Sequence, residues 1–541
     1  MSKMPSVMSH DFSRVPRAEI PRSSFQRNHG MKTTFDSGYL IPIYLDEALP
    51  GDTFNVNLTG FGRLATPLHP FMDNVFMNTF FFAVPYRLVW DNWQKFNGEQ
   101  RNPGDSTDYL IPQMISTAVT GYGEQSIFDY FALPTKVPGL AHSCLPLRAY
   151  NLIWNEWFRD QNLQNSVVVN VDDGPDDPTD YTLLRRGKRH DYFTSSLPWP
   201  QKGPGVDIPL GTSAPIIGLS YMATGTATGS TGYGYGVSDS GSGDVPFAGT
   251  PVIGTSNAAG LIRMESLGAV SATNRPQVYA DLSDATAATI NQLRQAFAVQ
   301  KLYERDARGG TRYTEIIRAH FNVTSPDARL QRPEYIGGGQ TPINLYPIAQ
   351  TQAQGTGVDT PLGNLAAYGT THVQGHGFTK SFTEHCIIVG MVSVRADLNY
   401  QQGLHRSWSR RTKFDFYWPA LSHIGEQAVL NKEIFAQGSA DPAADAAAWG
   451  YQERFAEYRY KPSVITGRMR SNATQSLDTW HLAQDFSALP HLDAAFIVDQ
   501  PPLERVLAVL TEPQFIFDAY VKERTARPMP MYGVPGMIDR F

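Results

Sequence analysis

The runs of this sequence that read as β-strands lie far apart, and that spacing limits the fold more than any other feature. Residues 53–58, Thr-Phe-Asn-Val-Asn-Leu, alternate polar and apolar side chains, the period-2 mark of a strand with one buried face. Residues 74–84 are rich in Phe and Val and stop at Pro85, which predicts a more deeply buried strand. Further strands are predicted at 166–171, 384–395, 458–465 and 515–523. Long connections separate these runs, and 46 Gly and 38 Pro supply their turns. Strands so widely spaced must pair non-locally. That suits a sandwich or double-sheet jelly roll with large insertions, and not a regular β–α–β alternation. Two helices are expected. One opens at Pro146 and carries Tyr150, Ile153, Trp154 and Trp157 on one face, to about Asp160. The other is capped by Asp281 or Ser283, carries Ile290, Leu293, Phe297 and Leu302, and stops at Gly309-Gly310.

Charged residues make up 18% of the chain, against roughly 25% in an average soluble protein. The chain also has 9 Trp, 25 Tyr and 29 Phe. Low charge with many aromatics points to large subunit interfaces, whose cores lose charge and gain aromatic rings. The two cysteines, Cys144 and Cys386, make neither a disulfide framework nor a cysteine-based zinc site, so a reducing cytoplasm is the natural folding compartment. No apolar run reaches the ~18 residues of a membrane span, and the first 30 residues lack the apolar core of a signal peptide. Membrane insertion is not expected. Net charge is -6, whereas a chain that wraps nucleic acid by bulk electrostatics is basic. Any nucleic-acid contact must therefore be local.

Three segments depart from the rest. Residues 1–34 carry Lys3, Arg14, Arg17, Arg22, Arg27 and Lys32 against Asp11 and Glu19, with Pro5, Pro16 and Pro21 forbidding a continuous helix. This is either a solvent-exposed terminus or a basic arm lying on nucleic acid or a neighbouring subunit. Residues 203–262 contain no Lys or Arg. Gly, Ser, Thr and Ala dominate there, with Tyr221, Tyr233, Tyr235 and Phe247 interspersed. A flexible surface insertion and a binding surface of rigid aromatics among adaptable small residues are both open. Residues 349–371, rich in Gly, Gln and Thr, are expected to form another loop.

The motifs that carry chemistry are missing. There is no phosphate loop, no dinucleotide fingerprint opening a helix, no nucleophile elbow and no metal helix of the H-E-x-x-H type. No catalytic residue, cofactor or metal ligand is nominated. His372 and His376 with Glu384, His385 and Cys386 place ligand types close together, but Gly375 and Gly377 oppose the helix that would align them. Asp172, Asp173, Asp176, Asp177 and Asp180 form an acidic turn that is either solvated or a hard-cation site. Arg185, Arg186, Lys188 and Arg189 form the densest basic run, next to Tyr192 and Phe193. Either they neutralise phosphates or they pair with carboxylates. Residues 405–413 pose the same choice.

Several aromatic-rich strings together resemble one family. They are Pro67-Leu-His-Pro-Phe-Met-Asp-Asn-Val-Phe76, Phe80-Phe-Phe-Ala-Val-Pro-Tyr-Arg-Leu-Val-Trp90, Leu147-Arg-Ala-Tyr-Asn-Leu-Ile-Trp-Asn-Glu-Trp-Phe-Arg-Asp160 and Leu184-Arg-Arg-Gly-Lys-Arg-His-Asp-Tyr-Phe-Thr-Ser-Ser-Leu-Pro-Trp199. Lys301–Tyr313, Asp397–Gly403 and Met529–Gly536 add to them. The chain resembles the major capsid proteins of the microviruses, above all the gokushovirus branch. The resemblance implies a mainly β protein: an eight-stranded antiparallel viral jelly roll with long inserted loops and a few helices. The expected layout is an arm at 1–34, core at 35–202 and 263–541, and a variable insertion at 203–262 forming a threefold surface protrusion. It further implies a virion protein assembled in the host bacterial cytoplasm into a T=1 shell around circular single-stranded DNA, with no catalysis. Its implied partners are other copies of itself, the packaged DNA, a small basic DNA-binding virion protein, a scaffolding protein and a host cell-surface receptor. Arg14, Arg17, Arg22, Arg27, Lys32, Arg185, Arg186, Lys188 and Arg189 become candidates to face DNA. Tyr221, Tyr233, Tyr235 and Phe247 become candidates for the receptor surface. The competing reading is a β-rich carbohydrate-active enzyme or glycan-binding protein that stacks sugars on Trp90, Trp154 and Trp157.

Overall fold

In the computed structural model the alternating run at 53–58 extends into a twelve-residue strand whose inward side chains are buried and whose outward ones are not. The structure describes residues 21–206, 290–324, 331–351 and 362–532, together with short backbone strands at 216–217, 220–222, 234–236 and 279–280. The chain divides into two units: Gln201–Asp306, and Met1–Pro200 with Ala307–Phe541.

The larger unit is built on ten strands: β1 (Ser23–Gln26), β2 (His29–Phe35), β3 (Ile41–Ala48), β4 (Thr53–Leu64), β5 (Val75–Pro85), β6 (Glu334–Pro342), β7 (Asn344–Ala349), β8 (Leu365–Ser381), β9 (Cys386–Ala396) and β10 (Phe515–Arg527). They form two antiparallel sheets. The first runs β1-β10-β4-β8-β7, with β2 also pairing β10. The second runs β6-β5-β9-β3. Their inner faces share one core, in which Phe81 of β5 meets Phe378 of β8 at 5.3 Å between ring centroids. The sandwich and its non-local pairing match expectation. The strand count, six plus four among the described residues, exceeds the expected eight. Proline explains part of the strand order. Pro42, Pro342 and Pro347 lack an N–H for a ladder, and β3, β6 and β7 are all edge strands.

The second sheet is covered on its outer face too. Phe82, Val84, Ile387, Val389 and Met391 pack against Trp90 and against helix α1 (Leu145–Ile153), with Leu147, Tyr150, Ile153 and Trp154. Pro146 sits in the first turn of α1, as expected, and the helix ends in a wide π-type turn at Trp154–Phe158. A third core gathers Tyr192, Phe193, Tyr400, Val429, Trp449 and Phe496. Helix α2 (Ile290–Arg308) ends just before Gly309-Gly310, and Gly310 has a φ of 98°, the left-handed geometry of a helix stop. The capping residues proposed for α2 lie outside the described residues. Helix α3 (Tyr313–Phe321) follows.

Three local expectations fail. Residues 166–171 do not enter a sheet. Their backbone instead bonds to asparagine side chains: Asn151 donates to the Val168 carbonyl, and Asn155 bridges both polar groups of Val167. Of 458–465 only Ser463–Val464 are extended in a ladder, while Ala456–Tyr458 form a 3-10 turn. The loop expected at 349–371 is strand from Leu365 onward.

Candidate assembly and nucleic-acid surfaces

The basic arm becomes sheet sooner than its composition suggests. From Ser23 onward it pairs with β10. Arg22 donates to the Gly51 carbonyl at 2.7 Å. Arg27 bonds Asp46 and Glu523 and lies 5.6 Å over the Phe54 ring. Lys32 meets Asp518 at 3.0 Å in an exposed pair. Arg14 and Arg17 lie outside the described residues.

The basic run 185–189 is threaded between two other segments. The Arg186 amide donates to the Gly38 carbonyl, the Lys188 amide to Ile497, and the Asp499 amide to Arg186. Buried Trp154 donates from its indole to the Arg185 carbonyl at 2.8 Å. Three of the four cations are occupied within the chain. Arg185 stacks 4.0 Å over Tyr39, Arg186 lies 3.9 Å from Asp499, and the Lys188 ammonium lies 4.3 Å from the Phe496 ring centroid. Burial pushes the Asp499 carboxyl up to about 6 against the pull of Arg186, Lys188, Arg395 and Arg185. Burial also lowers Lys188 to about 8, against Asp499 and Asp191. Arg185 and Lys188 line a cleft of about 680 Å³ together with Phe486, Phe496 and Arg505. Arg189 alone of the four is exposed.

The acidic turn has an occupant that sequence reasoning missed. Arg148, fully buried on α1, reaches into it. Its Nε donates to Asp176 at 2.8 Å, and its Nη1 donates to the carbonyls of Val89 and Asp172 at 3.0 and 2.9 Å. Its Nη2 also meets Asp176 and Asp172. Burial pushes Asp176 up, but Arg148 and the Tyr181 hydroxyl outweigh it and hold its carboxyl below the usual range. Asp173 accepts from the Trp90 indole at 2.7 Å and from Asn92. The turn is thus a clamp that ties α1 to the segment after β5, at Val89 and Trp90. The one local hint was the position of Arg148, between Leu147 and Ala149 in the first turns of the predicted helix.

The histidine cluster is split. His376 is buried between Thr79 (2.8 Å) and Thr341 (3.0 Å), whereas His372 contacts Gln374 at the surface. Among the described residues no three His, Cys, Asp or Glu gather as a metal site. In the smaller unit, Tyr221 and Tyr235 stand opposite each other in a two-stranded ribbon. Tyr233 and Phe247 lie outside the described residues.

The comparisons with known proteins say what kind of chain carries these surfaces. The family described as "Capsid protein (F protein)" matches residues 13–537. The chain belongs to this capsid family. It is similar to capsid protein VP1 of Bdellovibrio phage phiMH2K, 48% identical over 98% of each chain. It is also similar to capsid protein VP1 of Chlamydia phage 1 (44% identical, 99% of each) and of Spiroplasma virus 4 (36%, 99% of each). The microvirus resemblance drawn from the sequence strings therefore holds. This capsid protein is a structural component that self-assembles, and the enzyme alternative is set aside. Trp90, Trp154 and Trp157, which that alternative enlisted for sugar stacking, have structural tasks here. Trp90 and Trp154 are core, and the Trp157 indole donates to the Pro333 carbonyl at 2.8 Å. Among the described residues no helix of the capsid protein is long and apolar enough to cross a membrane.

Proposed function

We propose that this capsid protein forms a small T=1 icosahedral shell around a circular single-stranded DNA genome, and that its insertion meets the host surface. The observation that best supports the reading is strand order. Set aside β1 and β7, and number the other eight strands in chain order. The sheets then read 1-8-3-6 and 2-7-4-5, the order of two interlocked Greek keys in a viral jelly roll. The largest connections, between β5 and β6 and between β9 and β10, leave that framework intact. Both cysteines are free and buried, in keeping with assembly in the host bacterial cytoplasm.

The unit Gln201–Asp306 contains the sparsely charged insertion 203–262, with Asp207, Asp239 and Asp244 as its only charges, and so few charges suit a threefold protrusion, since like charges repel about a shared axis. Tyr221, Tyr233, Tyr235 and Phe247 are its proposed receptor contacts. Among the basic candidates, exposed Arg22, Lys32 and Arg189, with Arg14 and Arg17, suit phosphate contact best, because Arg27, Arg185, Arg186 and Lys188 already hold the chain together. A scaffolding protein and a small basic DNA-binding protein complete the proposed partner set.

Electron microscopy and sedimentation of the expressed chain test the shell. Closed, uniform particles are expected, and a monodisperse monomer in the presence of its phage partners would refute it. Deleting 213–258 is expected to leave particles that no longer attach to cells. Loss of assembly instead would assign the insertion to the shell itself.

A further inference from the structure

We propose that an aromatic ridge at residues 408–418 is a contact surface for a second copy of this chain, an inference that rests on the capsid role. Trp408, Phe414, Phe416, Tyr417 and Trp418 lie within this short segment, and each is at least half exposed, Trp408 by 81%. An aromatic side chain carries about 150–250 Å², so these five leave roughly 500 Å² of ring facing solvent. That is near the upper end of the largest apolar patch a monomer carries, about 300–600 Å². It is also more than half of the roughly 800 Å² that each partner gives to a standard interface.

The ridge is prebuilt. Asp415 accepts from the amides of Arg411 and Thr412 at 2.9 and 2.7 Å. The Trp418 indole donates to the Lys413 carbonyl at 2.9 Å, and Arg454 donates to the Phe414 carbonyl at 2.7 Å. Arg410 lies 5.1 Å over Phe416 and 4.5 Å over Tyr458. Rings held outward by a fixed backbone lose little entropy on docking, and Trp, Tyr and Arg dominate the energetics of protein interfaces.

The charge count decides between a protein and a nucleic acid as the occupant. Sequence composition left 405–413 open between the two. Arg406 is taken by buried Glu433 at 2.8 Å, and Arg410 faces buried Glu457 at 3.4 Å. Of the four cations at 406–413, Arg411 and Lys413 are left for phosphates, and Lys413 lies 5.1 Å from the Phe414 ring centroid. Two exposed cations against five rings describe an apolar contact with a polar rim. Each neutralised phosphate adds to affinity, and two cations would give a nucleic acid only a small electrostatic contribution.

Two variants of the full chain, Trp408→Ala and Phe414→Ala, test this. Both remove exposed rings, so the melting temperature of the unassembled chain should not change. Sedimentation velocity over a concentration series should show self-association weakened at least tenfold. Particle yield should fall in step, and binding of the unassembled chain to a thirty-nucleotide oligothymidine should not change. Unaltered self-association overturns the proposal. So does a variant that assembles normally but packages less DNA, since the ridge would then be a nucleic-acid face. If the parent chain self-associates, the variants do not, and closed particles never form, the ridge stands and the shell reading falls.

Discussion

Strands β10 and β9 have similar lengths and belong to the same sandwich, yet their sequences obey different rules. In β10, Phe-Ile-Phe-Asp-Ala-Tyr-Val-Lys-Glu-Arg-Thr-Ala-Arg, alternate side chains are buried and exposed. In β9, Cys-Ile-Ile-Val-Gly-Met-Val-Ser-Val-Arg-Ala, every residue is buried. The first sheet covers the core with one face and leaves the other to solvent. The second sheet is packed on both faces, by the sandwich core and by the α1 insertion. Continuous burial of an antiparallel strand is thus a record of the insertion that covers it. The insertion is part of the domain's stability and not an ornament on it.

Substitutions can break or sharpen this contrast. The largest effect is expected at Val389, which faces the insertion. Val389→Asp should cost more than about 4 kcal/mol and abolish soluble expression, because it buries an unpaired charge. On β10, Tyr520→Asp faces outward and should change the stability of the unassembled chain by less than about 0.5 kcal/mol. Equal tolerance at the two sites would mean that the insertion does not cover the second sheet in solution.

Next comes the clamp beneath that insertion. Arg148→Met should cost about 3–5 kcal/mol in urea unfolding, because it strands the Asp176 carboxylate in the interior. Asp176 titrates below its unfolded value, so its contribution is present above about pH 4 and is lost as acid protonates it. Acid unfolding of the parent should therefore show a steep component below about pH 4 that Arg148→Met lacks.

Asp499 has the opposite sign. Its folded value, about 6, lies above the unfolded one, so its contribution to stability is full below about pH 4 and fades as pH rises through 6. Asp499→Asn should remove that slope, as read by urea midpoints at pH 4.5 and 6.5. A slope that persists in the variant would place the titration elsewhere. The smallest effect belongs to the outer edge of the first sheet. Lys32→Ala breaks an exposed pair with Asp518 and should move stability by less than about 0.5 kcal/mol.

What could be read from the sequence follows from the same contrast. Strands β4 and β10 announce themselves by alternation, β5 and β9 by unbroken apolar runs, and α1 by its aromatic face after Pro146. Strands β6 and β8 did not, because closely packed layers selected small residues that look like loop. A Cβ at Gly337 would lie 2.3 Å from the Gly377 carbonyl oxygen, and one at Gly339 would lie 2.4 Å from the His376 ring. Composition reported flexibility where the fold required thinness. The Arg148 clamp was invisible for another reason. Its partner Asp176 lies in a turn that is solvated or cation-binding by local criteria, and only the packing of α1 brings the two together. The basic run was visible as charge, but its use could not be read from charge. Its neighbours Tyr39, Phe80, Phe496 and Asp499 come from three distant segments.

The pairing of β10 has a consequence for how the protein is made. This strand lies between β2 and β4 in the first sheet, yet it begins at Phe515, 480 residues after β2 ends at Phe35. At about 5–20 residues per second, tens of seconds pass between the emergence of β2 and that of β10. Throughout that time β2 lacks its ladder partner and β4 has one edge open. A chain cut short before residue 515 cannot complete the first sheet. The first sheet therefore waits on its latest strand, and a ribosome paused before residue 515 holds a chain whose sandwich is still open.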